Sequence, residues 1–193
     1  MRQLNARERH VAAMGSEARP LYGGAMSVEL PRGWLDASDV RPVPDHQEVF
    51  TEAAGAQRSI VIELVEPLDG TADALACVRE HFEELASECR RANVERCEAL
   101  DVGSAPGVNA ASVATLHGVQ DVSPAVLLHV RLALMRLAGH GTDILITLHR
   151  PLPRPPSLDA EDSLDAAAAD TGLLHALLRS LRVDDYGLFH PPG

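Results

Sequence analysis

Apolar and polar positions alternate early in the chain. Met26, Val28 and Leu30 alternate with Ser27 and Glu29, and a period of two marks a strand with one buried face. Gly23-Gly24 opens this segment, and Pro31-Arg32-Gly33 closes it as a turn. Residues 34–47 carry Pro42 and Pro44 and read as an ordered loop, with a further strand beginning at Val49 to Thr51. From Ser59 to Glu66, Ile60, Ile62 and Leu64 share one face of a strand, while Val61 and Val65 flank Glu63 on the other. The period then changes. Leu75, Val78, Phe82, Leu85 and Cys89 recur at spacings of three and four, which predicts a helix over about 72–91 with Thr71 as its N-cap. Glu80, Glu83, Glu84 and Glu88 fall largely on its solvated side.

Residues 94–102 and 111–120 read as two weaker strands around a Gly103–Gly107 turn. Val126 to Leu137 is ambiguous alone, because its leucine-rich alternation suits a strand and its length suits a helix. The following segment decides it. Ala138-Gly139-His140-Gly141 is a turn and Thr142 to His149 is strand-like, so the two runs form a hairpin. Prolines 151, 153, 155 and 156 mark a surface crossover, and a last helix runs to about Arg182. Leu173, Leu174, Leu177, Leu178 and Leu181 form its buried stripe. Strands, helix, strands, helix is the order of an α/β (α+β) fold, an antiparallel sheet of about six strands flanked by helices. Residues 1–20 lack an apolar pattern and are expected to be a mobile, dispensable extension, with 21–193 forming a single domain.

Composition narrows the function classes. At 193 residues the chain suits one domain, and its 3% aromatic share leaves aliphatic side chains to fill the core. A net charge of −11 argues against nucleic acid and against anionic membrane. It suits a basic protein partner, although taken alone the acidity is read first as serving solubility. Cys77, Cys89 and Cys97 are odd in number and show no CxxC spacing, so they form neither a disulfide framework nor a zinc site and point to a reducing compartment. No stretch approaches the roughly 20 apolar residues of a membrane span, and the N-terminus has no apolar secretory core. Glu8 and Glu17 among its arginines speak against a mitochondrial presequence.

Catalytic motifs are absent from the sequence. Gly103-Ser-Ala-Pro-Gly107 lacks the Gly-Lys-Ser/Thr ending of a phosphate loop. The nine histidines include no HExxH, and His46 with Glu48 supplies only two ligands of a metal site. There is no GxSxG elbow, so a hydrolase built on the histidines gains no support. No cofactor and no metal are expected.

One stretch carries more information. Leu21-Tyr22-Gly23-Gly24-Ala25-Met26 runs through Leu30-Pro31 to Asp36-Ala37-Ser38-Asp39-Val40-Arg41-Pro42-Val43-Pro44-Asp45-His46-Gln47-Glu48-Val49-Phe50. It resembles the N-terminal signature of the Ran guanine-nucleotide release factor family, in which a Gly-Gly strand leads to a Ser-Asp-Leu-Arg-Pro-Val-Pro-Asp-Asn-Gln-Glu-Val loop. Arg136-Leu137, Thr142 to Thr147, Pro151 and the ending Tyr186-Gly187-Leu188-Phe189 are similar as well. The likeness spans about 21–191 and is loose between about 90 and 125. It implies the fold shared with the photosystem protein PsbP, a curved antiparallel sheet with flanking helices. It also implies binding of the GTPase Ran, stimulated nucleotide release and a part in nuclear protein import, with no catalysis by the chain itself. The expected setting is nucleus and cytoplasm, as a monomer, with a Ran-binding helper protein as a second partner and no contact with nucleic acid or membrane. A non-enzymatic adaptor on the same fold, serving protein trafficking through another partner, is the alternative.

By motif position, Asp45 and Glu48 match the acids that the family uses on Ran, with Asp36, Asp39, His46 and Gln47 as weaker candidates. The competing reading of Asp45 and Glu48 is a helix-capping pair, against which the β-prone Val49-Phe50-Thr51 speaks. Asp36, Asp39 and Arg41 have a loop-fixing alternative in mutual pairing. Trp34 is read as core rather than as a binding anchor. His46 replaces the family's asparagine, which would give affinity a pH dependence near neutral.

Overall fold

In the computed structural model, residues 15–54, 57–67, 73–152 and 160–189 are described. In chain order the elements are β1 (Ser16–Leu21), β2 (Met26–Pro31), β3 (Trp34–Asp36), β4 (Gln47–Glu52), β5 (Ser59–Val65), α1 (Ala74–Leu85), β6 (Arg91–Leu100), β7 (Ser112–Ser123), β8 (Val126–Leu137), β9 (Thr142–Leu152), α2 (Ala160–Ser180) and β10 (Arg182–Val183). Seven strands form one sheet in the order β3-β4-β5-β9-β8-β7-β6, and β1, β2 and β10 form a second. All of these pairings are antiparallel. The fold is α+β, an open and mainly antiparallel sheet with two helices.

The hairpin expected from 126–149 sits near the middle of the large sheet, with Leu137 opposite Thr142 and Gly141 in the left-handed region at φ 59°. Its apolar run is nearly continuous because both faces are covered. Val130, Leu132 and Leu134 of β8 meet Phe82, Val78 and Cys77 of α1. Ala133 and Met135 point to the opposite face, where β2 and the leucine stripe of α2 lie. Leu173, Leu174, Leu177, Leu178 and Leu181 are all buried, as their spacing predicts, and Trp34 is core at 2% exposure.

Three expectations change. Residues 16–20 belong to β1, paired in register with β2, with Glu17 and Arg19 on the partly buried face beside Leu21 and Ser16, Ala18 and Pro20 exposed, a pattern that no apolar alternation announces. The rest of the expected extension, residues 1–14, lies outside the described residues, as does Thr71. The first helix is shorter than read. Asp73 caps it by accepting from the Leu75 amide at 3.0 Å, and it ends at Leu85, where the Ser87 amide turns back to the Glu84 carbonyl and the chain then joins β7 through the Arg90 amide and the Asp121 carbonyl. Its buried face is Ala74, Cys77, Val78, His81 and Phe82, which leaves Leu85 39% exposed and Cys89 off the helix. The strand count exceeds about six because β1, the three-residue β3 and the two-residue β10 are too short or too polar to show a period.

The large sheet has two open edges, β3 and β6. β6 is bulged between Val94 and Arg96 and exposes Arg91, Asn93, Glu95 and Arg96. Among the described residues no helix is long and apolar enough to cross a membrane.

Candidate functional site

The segment after β3 is folded by short-range bonds. The Asp36 carboxylate accepts from the Ser38 amide at 2.8 Å and caps a single turn over Ala37–Asp39. The Val40 and Arg41 amides both donate to the Ala37 carbonyl. Pro42 and Pro44 then stiffen the path, and the Gln47 amide donates back to the Pro44 carbonyl at 2.9 Å, which lifts Asp45 and His46 onto an exposed turn. Asp36 therefore has a structural task. Arg41 is exposed and makes no ion pair among the described residues, so backbone bonds rather than mutual charge pairing fix this loop. Asp45 and Glu48 cap no helix, since β4 starts at Gln47.

The far side of the loop is held by a residue that carried no role in the sequence reading. Tyr22 sits at φ 49°, unusual for a non-glycine residue, at the head of a tight turn with Gly23 and Gly24. Its amide donates to Glu48 Oε1 at 2.5 Å. Its hydroxyl lies 2.8 Å from the Ile62 carbonyl and 3.1 Å from the His46 carbonyl. Burial, reinforced by the charges of Glu48 and Glu63, pushes the phenol up from its ordinary value, so it stays a donor. Tyr22 thus clamps the two strands that carry the turn, and Glu48 spends one carboxylate oxygen on that clamp.

Next to it, Gln47 Nε2 donates to Glu63 Oε1 at 2.5 Å across β4 and β5. Among the described residues no ion pair neutralises Asp45, Glu48 or Glu63. Asp39 is exposed one turn earlier on the same loop. The result is a surface of uncompensated carboxylates on a stiff support, with no group of three or more metal-ligating side chains among the described residues. Carboxylates on such a surface are chemically suited to pairing with cations.

The sequence matches the family model described as "Ran-interacting Mog1 protein" over residues 19–151. The chain belongs to this family. The match takes in β3 to β8 and nearly all of β9, so the Mog1 region includes every strand of the large sheet and the whole candidate loop. Among curated relatives, the Ran guanine nucleotide release factor of Homo sapiens is 35% identical over 182 residues, covering 89% of this chain and 96% of its own. The nuclear import protein MOG1 of Saccharomyces cerevisiae is 28% identical, covering 93% and 88% respectively. Of solved structures, the Ran-binding protein Mog1p of that yeast superposes with a TM-score of 0.73 at 24% identity, over 92% of this chain and all 100% of that one. Cyanobacterial PsbP from Synechocystis gives 0.56 at 17% identity, over 88% and 93%. The fold expected from the resemblance is thus the fold observed.

Proposed function

We infer that this chain binds Ran and promotes release of its guanine nucleotide, and in this way supports nuclear protein import. Its relatives bear those names. The observation that carries the reading onto particular residues is the proline-stiffened turn that displays Asp45 beside Glu48, with no cation among the described residues neutralising either. A rigid support lowers the entropy lost on binding. Asp45, fully presented, is the main contact. Glu48 offers its remaining oxygen while the other steadies the turn through Tyr22. Asp39, His46 and Gln47 flank the contact, and Asp36 shapes the loop.

No covalent step is needed. A protein that binds nucleotide-free Ran better than loaded Ran lowers nucleotide affinity by the same factor, because coupling between two sites is reciprocal. The chain acts as a regulator rather than an enzyme, as a monomer in nucleus and cytoplasm, with a helper protein that also binds Ran. The test is calorimetric titration against Ran, run with release of a fluorescent guanine nucleotide. Truncating one side of a desolvated carboxylate–cation pair costs about 2–5 kcal/mol. Asp45→Ala with Glu48→Ala is therefore expected to abolish binding and release at micromolar concentrations, with an unchanged circular dichroism spectrum. Lysine at both positions is expected to be worse, and added salt to weaken the wild-type complex. A folded double variant that binds like wild type removes these residues from the site.

A further inference from the structure

The two most exposed large apolar side chains among the described residues both belong to the β3–β4 hairpin that carries the candidate loop. Val40 is 85% exposed and Leu35 is 55% exposed. Strand alternation buries the Trp34 ring and turns Leu35 outward, opposite the exposed Thr51 of β4. Val40 closes the single turn over Ala37–Asp39 and stands between exposed Asp39 and exposed Arg41. A turn position with no packing to gain is ordinarily filled by Gly, Asn, Asp or Ser. Neither conformation nor packing calls for valine here. Its φ of −124° and ψ of −18° lie outside the strand geometry that suits a β-branched side chain, and its methyls meet water. One exposed apolar residue is ordinary. Two that flank the Asp36–Asp39 turn, on the hairpin that goes on to present Asp45, coincide with the charged contact already described.

Carboxylates alone make a weak interface, because each must be stripped of water before it pairs. Stable contacts place apolar side chains at the centre and charges at the rim. The hairpin supplies both kinds. Its apolar members also lose little freedom on binding. A β-branched side chain has few rotamers. The Val40 amide is tied to the Ala37 carbonyl at 3.1 Å, and Pro42 fixes the backbone beyond Arg41. β3 is a margin of the large sheet, so no described strand pairs along its outer side. We propose that Val40, seconded by Leu35, is the apolar anchor of the Ran contact, seated in an apolar depression of Ran that is bordered by the cation meeting Asp45. The proposal rests on the Ran-binding reading and adds to it side chains that carry no charge.

The two kinds of contact separate by experiment. Charge pairing weakens with salt, whereas burial of apolar surface gives binding a negative heat-capacity change. Calorimetric titration against Ran, at several temperatures and two salt concentrations, reads both. Val40→Ser is expected to weaken binding roughly tenfold and to make the heat-capacity change less negative, with the salt dependence of wild type. Val40→Leu is expected to bind at least as tightly as wild type, and Leu35→Ser to bind several-fold more weakly. Val102, 47% exposed past the end of β6 at the opposite margin of the sheet, is the control, and Val102→Ser is expected to change nothing. These side chains stand in solvent, so circular dichroism is expected to show every variant folded. If Val40→Ser and Leu35→Ser bind like wild type with the same heat-capacity change, while Asp45→Ala with Glu48→Ala still loses binding, the apolar anchor falls and the Ran contact stands. If Val102→Ser weakens binding as much as Val40→Ser, the anchor also falls. If wild type does not bind Ran, both readings fall.

Discussion

At the scale of single residues, the clearest contact is between Phe82 and Gly118. A Cβ on Gly118 would stand 2.6 Å from Phe82 Cζ and 2.7 Å from the Asn93 carbonyl oxygen, so the tip of the ring packs where β7 has no side chain. Gly118→Ala is expected to cost about 1–3 kcal/mol through overpacking. Phe82→Ala is expected to cost about 3–5 kcal/mol through the cavity it leaves. Urea unfolding of the two single variants and the double variant checks both. The double variant should lose less than the sum, because each change relieves part of the strain or void of the other. Phe82 was legible in the sequence from its place in a three-and-four spacing. Gly118 was not, since a glycine inside a strand shows no pattern that names its neighbour. Asp45 and Glu48 were legible as acids on a stiff loop, whereas Tyr22 was hidden because its partners lie 24 to 40 residues away. Tyr22→Phe keeps the ring and removes the hydroxyl. It is expected to lower stability by about 1 kcal/mol and to weaken Ran binding measured by calorimetry.

At the scale of elements, α2 is fastened by charge as well as by its leucines. Asp170, fully buried on that helix, faces Arg58 at 3.2 Å, Arg131 at 3.4 Å and a two-pronged contact from Arg150. Arg58 also forks onto Glu52 and lies 5.5 Å over the Trp34 ring. One carboxylate thus gathers cations from β8, β9 and the start of β5. Asp170→Ala is expected to cost about 3–5 kcal/mol, because removing one side of a buried ion pair strands the other. Asp170→Asn, which keeps hydrogen-bonding capacity, is expected to cost less. Chemical denaturation of both variants decides. The leucine stripe of α2 is visible as a period, but the clasp is not, since its members are brought together only by sheet order. The same limit holds at one end of α1. Asp73 at its start is a local capping signal, whereas no local pattern marks its end at Leu85.

At the scale of the whole molecule, the side of the sheet towards α2 collects histidines that resist protonation. Burial, then the charge of Arg131, pushes His117 down to about 4, and His129 and His175 move the same way, burial first. Unfolded histidine takes up its proton near 6.5. The folded state is therefore favoured fully above pH ~6.5 and loses that contribution as pH falls towards ~4. Glu98, Arg96 and His175 also act on His117, so the comparison must be with a variant. His117→Gln is expected to show a shallower fall in melting temperature across that interval than wild type. The layered order of strands and helices was legible because it follows from local periods, while the division into two sheets was not, since β1, β3 and β10 are too brief to announce themselves. The margins of the large sheet have a consequence for behaviour at high concentration. An unpaired strand margin is a template on which identical chains can stack into fibrils. Here one margin is three residues long, and the other is bent by its bulge and studded with Arg91, Glu95 and Arg96. Replacing Glu95 and Arg96 by valine would make that margin flat and greasy, and light scattering on storage would rise while the folded spectrum stayed the same.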